Sequence, residues 1–525
     1  MKSIYRSIPF GILIIFGLFI AYGLFPSMHK LDISDKIGTN LVDLTKKTVS
    51  FHGTSDDKNF ARYLNIINDA YFFGTNHKAL SKSTQNNTID VQLSNINTPQ
   101  MFQFAAVGDN GLYDTFVFVT PGDDIQFNVE KGSLSFTGKN AEHYNFFLEL
   151  DKSNNQWTKL KMSKLNADFE HYKTLCDSLY KKRISFFDSY IERNKSVSNE
   201  FKKTVQQHLY FEYLHALISP RSEVQGNLYS NTLEDLTTIL ANSNRKEGDF
   251  FDLNKYLNHV TIDDFNKPEL INNLYYKMSL VDFVRQYFVQ SKAARFTKES
   301  FTEELTFIKK TFHPDIVKFA TGRLIVDYFE HGFGKDKSSS EFMKNTLNEY
   351  QKTITDASYL EPLQDIKEEL GSISKIIPAD LEEGVMNLSK DTISLNPILR
   401  SKKIKIIDFW ASWCQPCIEE IVAAKQEREK IMEKYDVEFI FLSVDKDEEK
   451  WIHRSKDLSE FLSNARQYRI LSLKRSQFIN FLKIKNSYGL TVPRYLILDQ
   501  DNRIVDNNAP KPTSHKFEDV LKSLN

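Results

Sequence analysis

The 525-residue chain has only three cysteines, Cys176, Cys414 and Cys417, too few for a disulfide-stapled fold. It has no excess of either charge. With 68 Lys and Arg against 69 Asp and Glu, the net charge is −1, which gives no electrostatic footprint for nucleic acid. Long apolar runs are scarce: Ile8 to Phe25 holds 18 residues without a charge, and no second run of that kind follows, so the remainder reads as soluble. No Walker-type phosphate loop, Gly-x-Gly-x-x-Gly fingerprint or Gly-x-Ser-x-Gly elbow occurs, so nucleotide and esterase readings lack support. No fixed-period repeat stands out, which argues against a solenoid. What is present suffices for folded cores. Hydrophobic residues make up 41% of the chain, which excludes wholesale disorder, and the length suggests roughly three domains.

Lys2 and Arg6 precede the apolar run, and Pro26 ends it. The run is at the short limit for a membrane span, and a basic start before an apolar block also fits a secretory signal. Phe25-Pro26-Ser27-Met28 is a poor cleavage site, and no cysteine lies nearby for a lipid anchor. Residues 1–29 are therefore expected to be an N-terminal membrane anchor or signal segment, a retained anchor being favoured. Lys2 and Arg6 would stay in the cytoplasm and residues 30–525 would lie outside, on the periplasmic side of the inner membrane.

Residues 30–140 read as a small β-sandwich. Thr48–Phe51, Ala70–Phe73, Ile89–Leu93, Met101–Phe104, Phe116–Val119 and Ile125–Val129 are short aromatic or β-branched runs, several of them alternating. From 141 to 375 the period becomes helical, with stripes such as Tyr172, Cys176, Leu179, Phe186 and Tyr190, and further blocks near 267–291, 298–332, 338–353 and 359–373. From 376 to 525 strands alternate with helices. Lys405–Phe409, Val437–Val444 and Tyr495–Leu498 are strands, and Ile418–Tyr435, 447–463, 475–484 and 514–524 are helical, as in a layered α/β sheet.

The block that carries chemistry is Asp408-Phe409-Trp410-Ala411-Ser412-Trp413-Cys414-Gln415-Pro416-Cys417, at the junction of a strand and a helix. A cysteine at a helix N-terminus meets unpaired N–H groups and the positive end of the dipole. Both favour thiolate, which makes Cys414 the nucleophile. Cys417 is one turn on, close enough for a disulfide with Cys414, and is expected to be the more buried, resolving thiol. Pro416 is tolerated in the first turn. The chemistry is thiol–disulfide exchange, with the Cys414–Cys417 disulfide as the redox centre and no further cofactor.

These residues resemble the active-site segment of the thioredoxin superfamily, and among its branches the membrane-anchored bacterial disulfide reductases of the TlpA/ResA type. The resemblance spans about residues 376–525 and implies an α/β thioredoxin-like C-terminal domain. It implies that Asp408 is a buried acid that moves protons to and from Cys417. It also implies that Thr491-Val492-Pro493 is a cis-proline loop packed against the thiols, with the Val492 backbone pairing with an extended substrate. Trp413, Gln415 and Pro416 would shape substrate access and redox poise. Cys417 and Pro493 are 76 positions apart, which fits the insertion that the anchored branch carries before this loop. Where the family often has proline, this chain has Val422, which predicts a straighter active-site helix. Glu420 matches a frequent family glutamate but reads as a solvated helix-face carboxylate. Pro121–Asp124 through Phe136–Ala141 resembles a β domain that precedes thioredoxin domains in Bacteroidetes proteins. The resemblance implies that the usual work is reduction of misplaced protein disulfides, or of disulfides between apocytochrome cysteines in cytochrome c biogenesis. Its partners are envelope protein thiols and disulfides and a membrane electron donor.

Other readings fit less well. A structural zinc site needs about four ligands, whereas there is no second cysteine pair and His453 is the one histidine between the motif and Pro493. Cys176, His208 and His215 read as packed core groups. The rival function is an envelope binding protein in which residues 30–375 hold a partner and the thioredoxin domain is an accessory.

Overall fold

The computed structural model describes residues 48–67, 80–85, 88–153, 157, 160, 162, 167–223, 231–233, 236–241, 243, 251–360, 363–462, 466–484, 490–522 and 524. The apolar run Ile8–Phe25 and the expected strand Ala70–Phe73 lie outside them. Among the described residues no helix is long and apolar enough to cross a membrane. The chain divides into two compact units. One takes its described residues from 48–292 and 303–321, the other from 293–302 and 322–524.

The first unit opens with eight strands: β1 Val49–Ser55, β2 Asn65–Ile67, β3 Leu80–Gln85, β4 Thr88–Leu93, β5 Gln100–Gly108, β6 Gly111–Val119, β7 Asp124–Glu130 and β8 Ser133–Thr137. They form a five-stranded sheet, β3-β4-β1-β7-β8, and a three-stranded sheet, β2-β5-β6. β7 and β8 alternate buried and exposed residues, the pattern of a half-solvated sheet. The two sheets share one aromatic core: Phe104 of the smaller sheet lies 5.9 Å from Phe51, 5.6 Å from Phe127 and 5.2 Å from Phe136 of the larger, by ring centroids. This is the expected sandwich. Helices Ala141–Lys152, Phe169–Arg193 and Asn199–Ile218 follow, the last two capped by the Asp168 carboxylate and the Ser198 hydroxyl.

The block near 267–291 is less regular than its periodicity suggests. A short 3₁₀ segment, Pro268–Asn272, leads into helix Leu274–Phe283 and then a π turn, Val284–Val289, stopped by Gln290 in the left-handed region. The stretch read over 298–332 is two helices, Lys298–Thr311 and Pro314–Glu330, because Pro314 cannot continue the first.

The second unit is built on a seven-stranded sheet. Its strands are β9 Gly384–Met386, β10 Thr392–Ser394, β11 Ile404–Trp410, β12 Val437–Ser443, β13 Arg466–Ile470, β14 Arg494–Leu498 and β15 Ile504–Ala509, in the order β10-β9-β13-β12-β11-β14-β15. β11, β12 and β13 run parallel, while β14 is antiparallel to β11 and β15 to β14. Every residue of β11 is buried, as a central strand covered on both faces requires. The outer edge of β15 is occupied. Ser374 N–H donates to the Ile504 carbonyl (3.0 Å), Ile504 N–H to Lys375 (2.9 Å), Ile377 N–H to Asn502 (3.0 Å) and Asn507 N–H to Lys335 (3.4 Å). Parallel central strands, an antiparallel pair beyond them and helices between are the expected thioredoxin-like arrangement.

Candidate active site

β11 delivers the site. Its last residue, Trp410, accepts a hydrogen bond from Val444 N–H (2.9 Å), and the chain then turns, Cys414 N–H donating to the Ala411 carbonyl (3.0 Å). Cys414 caps helix Gln415–Ala423, its sulfur accepting from Cys417 N–H at 3.3 Å. Pro416 sits in the first turn, where its missing N–H leaves no bond unmade. The two cysteines are joined in a disulfide, with Cα atoms 5.3 Å apart. Cys414 is 5% exposed and Cys417 1%, so an incoming group reaches Cys414 first. Trp413 is 67% exposed beside it. Gln415 and Pro416 face solvent, and the Gln415 amide donates to Glu419 (3.1 Å). The Val492–Pro493 peptide is cis, and Val492 packs against the core cluster that contains Cys414 and Cys417.

Asp408 lies buried in β11. Burial pushes its carboxyl up to about 7, against the pull of the Tyr495 hydroxyl and the Arg428 guanidinium and with a push from Glu420. Its Oδ1 has no hydrogen-bond partner among the described residues. An acid with one unoccupied oxygen, poised near neutrality, can take and return a proton.

Glu420 departs from its expected place. It follows Cys417 by three residues and so shares its helix face, but it is only 6% exposed. The Thr513 hydroxyl donates to it at 2.9 Å, and the Lys511 ammonium lies 3.7 Å away. It is a buried, paired carboxylate in the electrostatic field of Asp408, not a solvated one. The helix also departs from expectation. It breaks at Ala424 and resumes as Lys425–Lys434, without a proline. The Arg428 guanidinium supplies the cause: it donates to the Ile421 carbonyl (3.0 Å) and to Phe461 (2.6 Å), inserting a side chain where a backbone ladder would run.

Two positioning residues escaped the sequence reading. Ser412, inside the motif, donates its N–H and its hydroxyl to the buried Asp445 carboxylate, to which the Ser443 hydroxyl also donates (2.8 Å). The available signal was Ser443-Val444-Asp445, where β12 ends and the chain leaves it, one strand from the motif. Cys176 lies far along the chain in helix Phe169–Arg193 and is fully buried, which pushes its thiol up to about 12. Among the described residues no cluster of three or more His, Cys, Asp or Glu side chains is placed to hold a metal ion.

The Redoxin family model matches residues 377–524. No curated relative matches the chain. Solved structures similar to it include a Bacteroides vulgatus protein provisionally assigned as a thiol-disulfide oxidoreductase, at 26% identity over 29% of this chain and 99% of that one (TM-score 0.23). They also include the thioredoxin domain of a second Bacteroides vulgatus thiol-disulfide oxidoreductase, at 19% identity over 29% and 100% (TM-score 0.21). A thiol-disulfide oxidoreductase from Bacteroides fragilis NCTC 9343 matches at 19% over 27% and 96% (TM-score 0.23).

Proposed function

With a C-terminal domain of the thioredoxin superfamily, the chain is an oxidoreductase, and we propose that it is an extracytoplasmic protein-disulfide reductase working through Cys414-Gln415-Pro416-Cys417. The observation that carries the reading is the asymmetry of the pair: Cys414 caps the helix and is the more exposed, while Cys417 is enclosed.

In the reduced enzyme the Cys414 thiolate attacks one sulfur of a substrate disulfide. A mixed disulfide forms and the other substrate sulfur leaves as thiolate, taking a proton. Asp408, as carboxylate, accepts the Cys417 proton. The Cys417 thiolate then attacks Cys414, re-forms the Cys414–Cys417 disulfide and releases the second substrate thiol. Two electrons pass from the dithiol to the substrate, so a thiol donor must reset the site; a membrane electron donor fills that role in this reading. Protein disulfides of the cell envelope, those formed between apocytochrome c cysteines among them, are the proposed substrates. Trp413, Gln415, Pro416 and Val492 border the approach to Cys414. Support for the location is the Ile8–Phe25 run behind Lys2 and Arg6.

The test is trapping. Cys417→Ser in cells is expected to accumulate mixed disulfides that dithiothreitol releases, while Cys414→Ser traps few and loses insulin reduction. A reduction potential near ~−270 mV supports the reductant; one near ~−120 mV makes the protein an oxidant instead.

A further inference from the structure

Buried charge gathers where β14 begins. Arg494 follows Pro493 and is in register with Phe409 of β11. The Val492–Pro493 turn therefore continues past the end of that strand, beside Trp410 and the chain leading to Cys414. The Arg494 side chain is buried and held twice. Its Nε donates to the Asn507 carbonyl at 2.6 Å, and its Nη2 donates to the Glu369 carboxylate. Glu369 belongs to helix Gln364–Leu370, outside the segment matched by the family model. The same Glu369 oxygen is 3.8 Å from the buried Lys335 ammonium. Asn507 in turn donates its amide to the Ser372 hydroxyl at 3.3 Å.

A buried guanidinium without its carboxylate is an uncompensated charge, far costlier than a broken surface pair. Glu369 thus fixes where Arg494 sits, and Arg494 is one peptide bond from the turn. Thr491 is exposed, and Val492 and Pro493 are partly exposed.

We propose that Glu369 is a positioning residue for the docking of polypeptide disulfides: through Arg494 it holds the Val492–Pro493 turn at the border of the Cys414–Cys417 site. The inference rests on the oxidoreductase reading and adds that the helical segment before the redox domain helps select chain-borne disulfides. A polypeptide must lay several residues around Cys414 and so meets the turn. A small aromatic disulfide reaches the sulfur alone. Loosening the turn weakens binding of the first and leaves the second untouched.

The experiment uses the full chain as wild type, Glu369→Gln, Glu369→Asp and Arg494→Lys. Insulin reduction with dithiothreitol gives KM and kcat, and pre-reduced protein mixed with dithiobis(nitrobenzoate) gives the single-turnover rate at the thiol. Glu369→Gln is expected to raise the insulin KM about fivefold or more, with kcat and the nitrobenzoate rate within about twofold. Glu369→Asp and Arg494→Lys, which keep both charges, fall between it and wild type. They carry the test if Glu369→Gln does not fold. Unchanged insulin KM in every folded variant overturns the proposal, as does equal loss toward both disulfides. Wild-type protein that reacts with the nitrobenzoate but not with insulin overturns it while leaving the redox reading intact; reaction with neither overturns both.

Discussion

Ser412 and Asp445 are joined twice: the Ser412 N–H donates to Oδ2 at 2.8 Å and its hydroxyl to Oδ1 at 2.7 Å. The clasp fixes the turn between β11 and the active-site helix from the neighbouring β12. Ser412→Ala removes one bond and is expected to cost about 1 kcal/mol. Asp445→Asn turns an amide NH₂ toward a donor in a buried site and is expected to cost about 2–3 kcal/mol. Urea unfolding measures both. Insulin turnover should fall further in Asp445→Asn, since that change also frees Ser443.

Asp408 gives a pH signature. Its folded pKa of about 7 stands above the ~3.9 of an unfolded aspartate. Between those values the native state keeps a proton that the unfolded state has lost, so the group lowers stability as pH rises from about 4 to about 7, and the cost is constant above. Asp408→Asn should match wild type at pH 3 and exceed it at pH 8 by on the order of 2–4 kcal/mol, read from urea unfolding at the two pH values. Activity should move the other way. Without a carboxylate to take the Cys417 proton, single-turnover release from the mixed disulfide slows, and its inflection near neutral pH flattens.

Arg428 ties the helix break to that acid. Arg428→Met keeps the stem but leaves the Ile421 and Phe461 carbonyls without its donors, an expected loss of about 2–4 kcal/mol. It also removes a positive charge that holds Asp408 down, so the inflection in the pH–rate profile should shift upward. A purely structural arginine would leave that inflection where it is.

Cys176 should be silent. Burial pushes its thiol up to about 12, so thiolate is scarce at neutral pH. After mild reduction, iodoacetamide is expected to label Cys414 quickly, Cys417 slowly and Cys176 only in denaturant, as peptide mass spectrometry would show. Labelling of Cys176 in native protein at a rate near that of Cys414 would contradict this.

Local patterns were legible in the sequence and long-range partners were not. β11 showed as the buried strand Lys405–Phe409, apolar but for Lys405 and Asp408, and the helix start at Cys414-Gln415-Pro416-Cys417 showed in its own residues. β13 did not, because Arg466, Gln467 and Arg469 look like loop. It is nevertheless sheet-paired on both sides, with Arg469 buried and donating to the Asp445 carbonyl (3.3 Å). Glu420 looked solvated because its partners, Thr513 and Lys511, lie some ninety positions on. The helix break at Ala424 has no proline or glycine to announce it; a side chain seven residues beyond Ile421 makes it. The pair Glu369–Arg494 spans 125 positions and follows no periodicity.

The strand edge of β15 carries a consequence for where the redox domain ends. The family match begins at residue 377, yet residues 374 and 375 and Lys335 supply backbone partners to Ile504 and Asn507. A redox domain severed at 377 would present a bare row of N–H and C=O groups, the template on which strands of separate molecules join. The smallest piece that behaves as a monomer should therefore begin before Lys335, because residues outside the family match cover this edge of the redox domain.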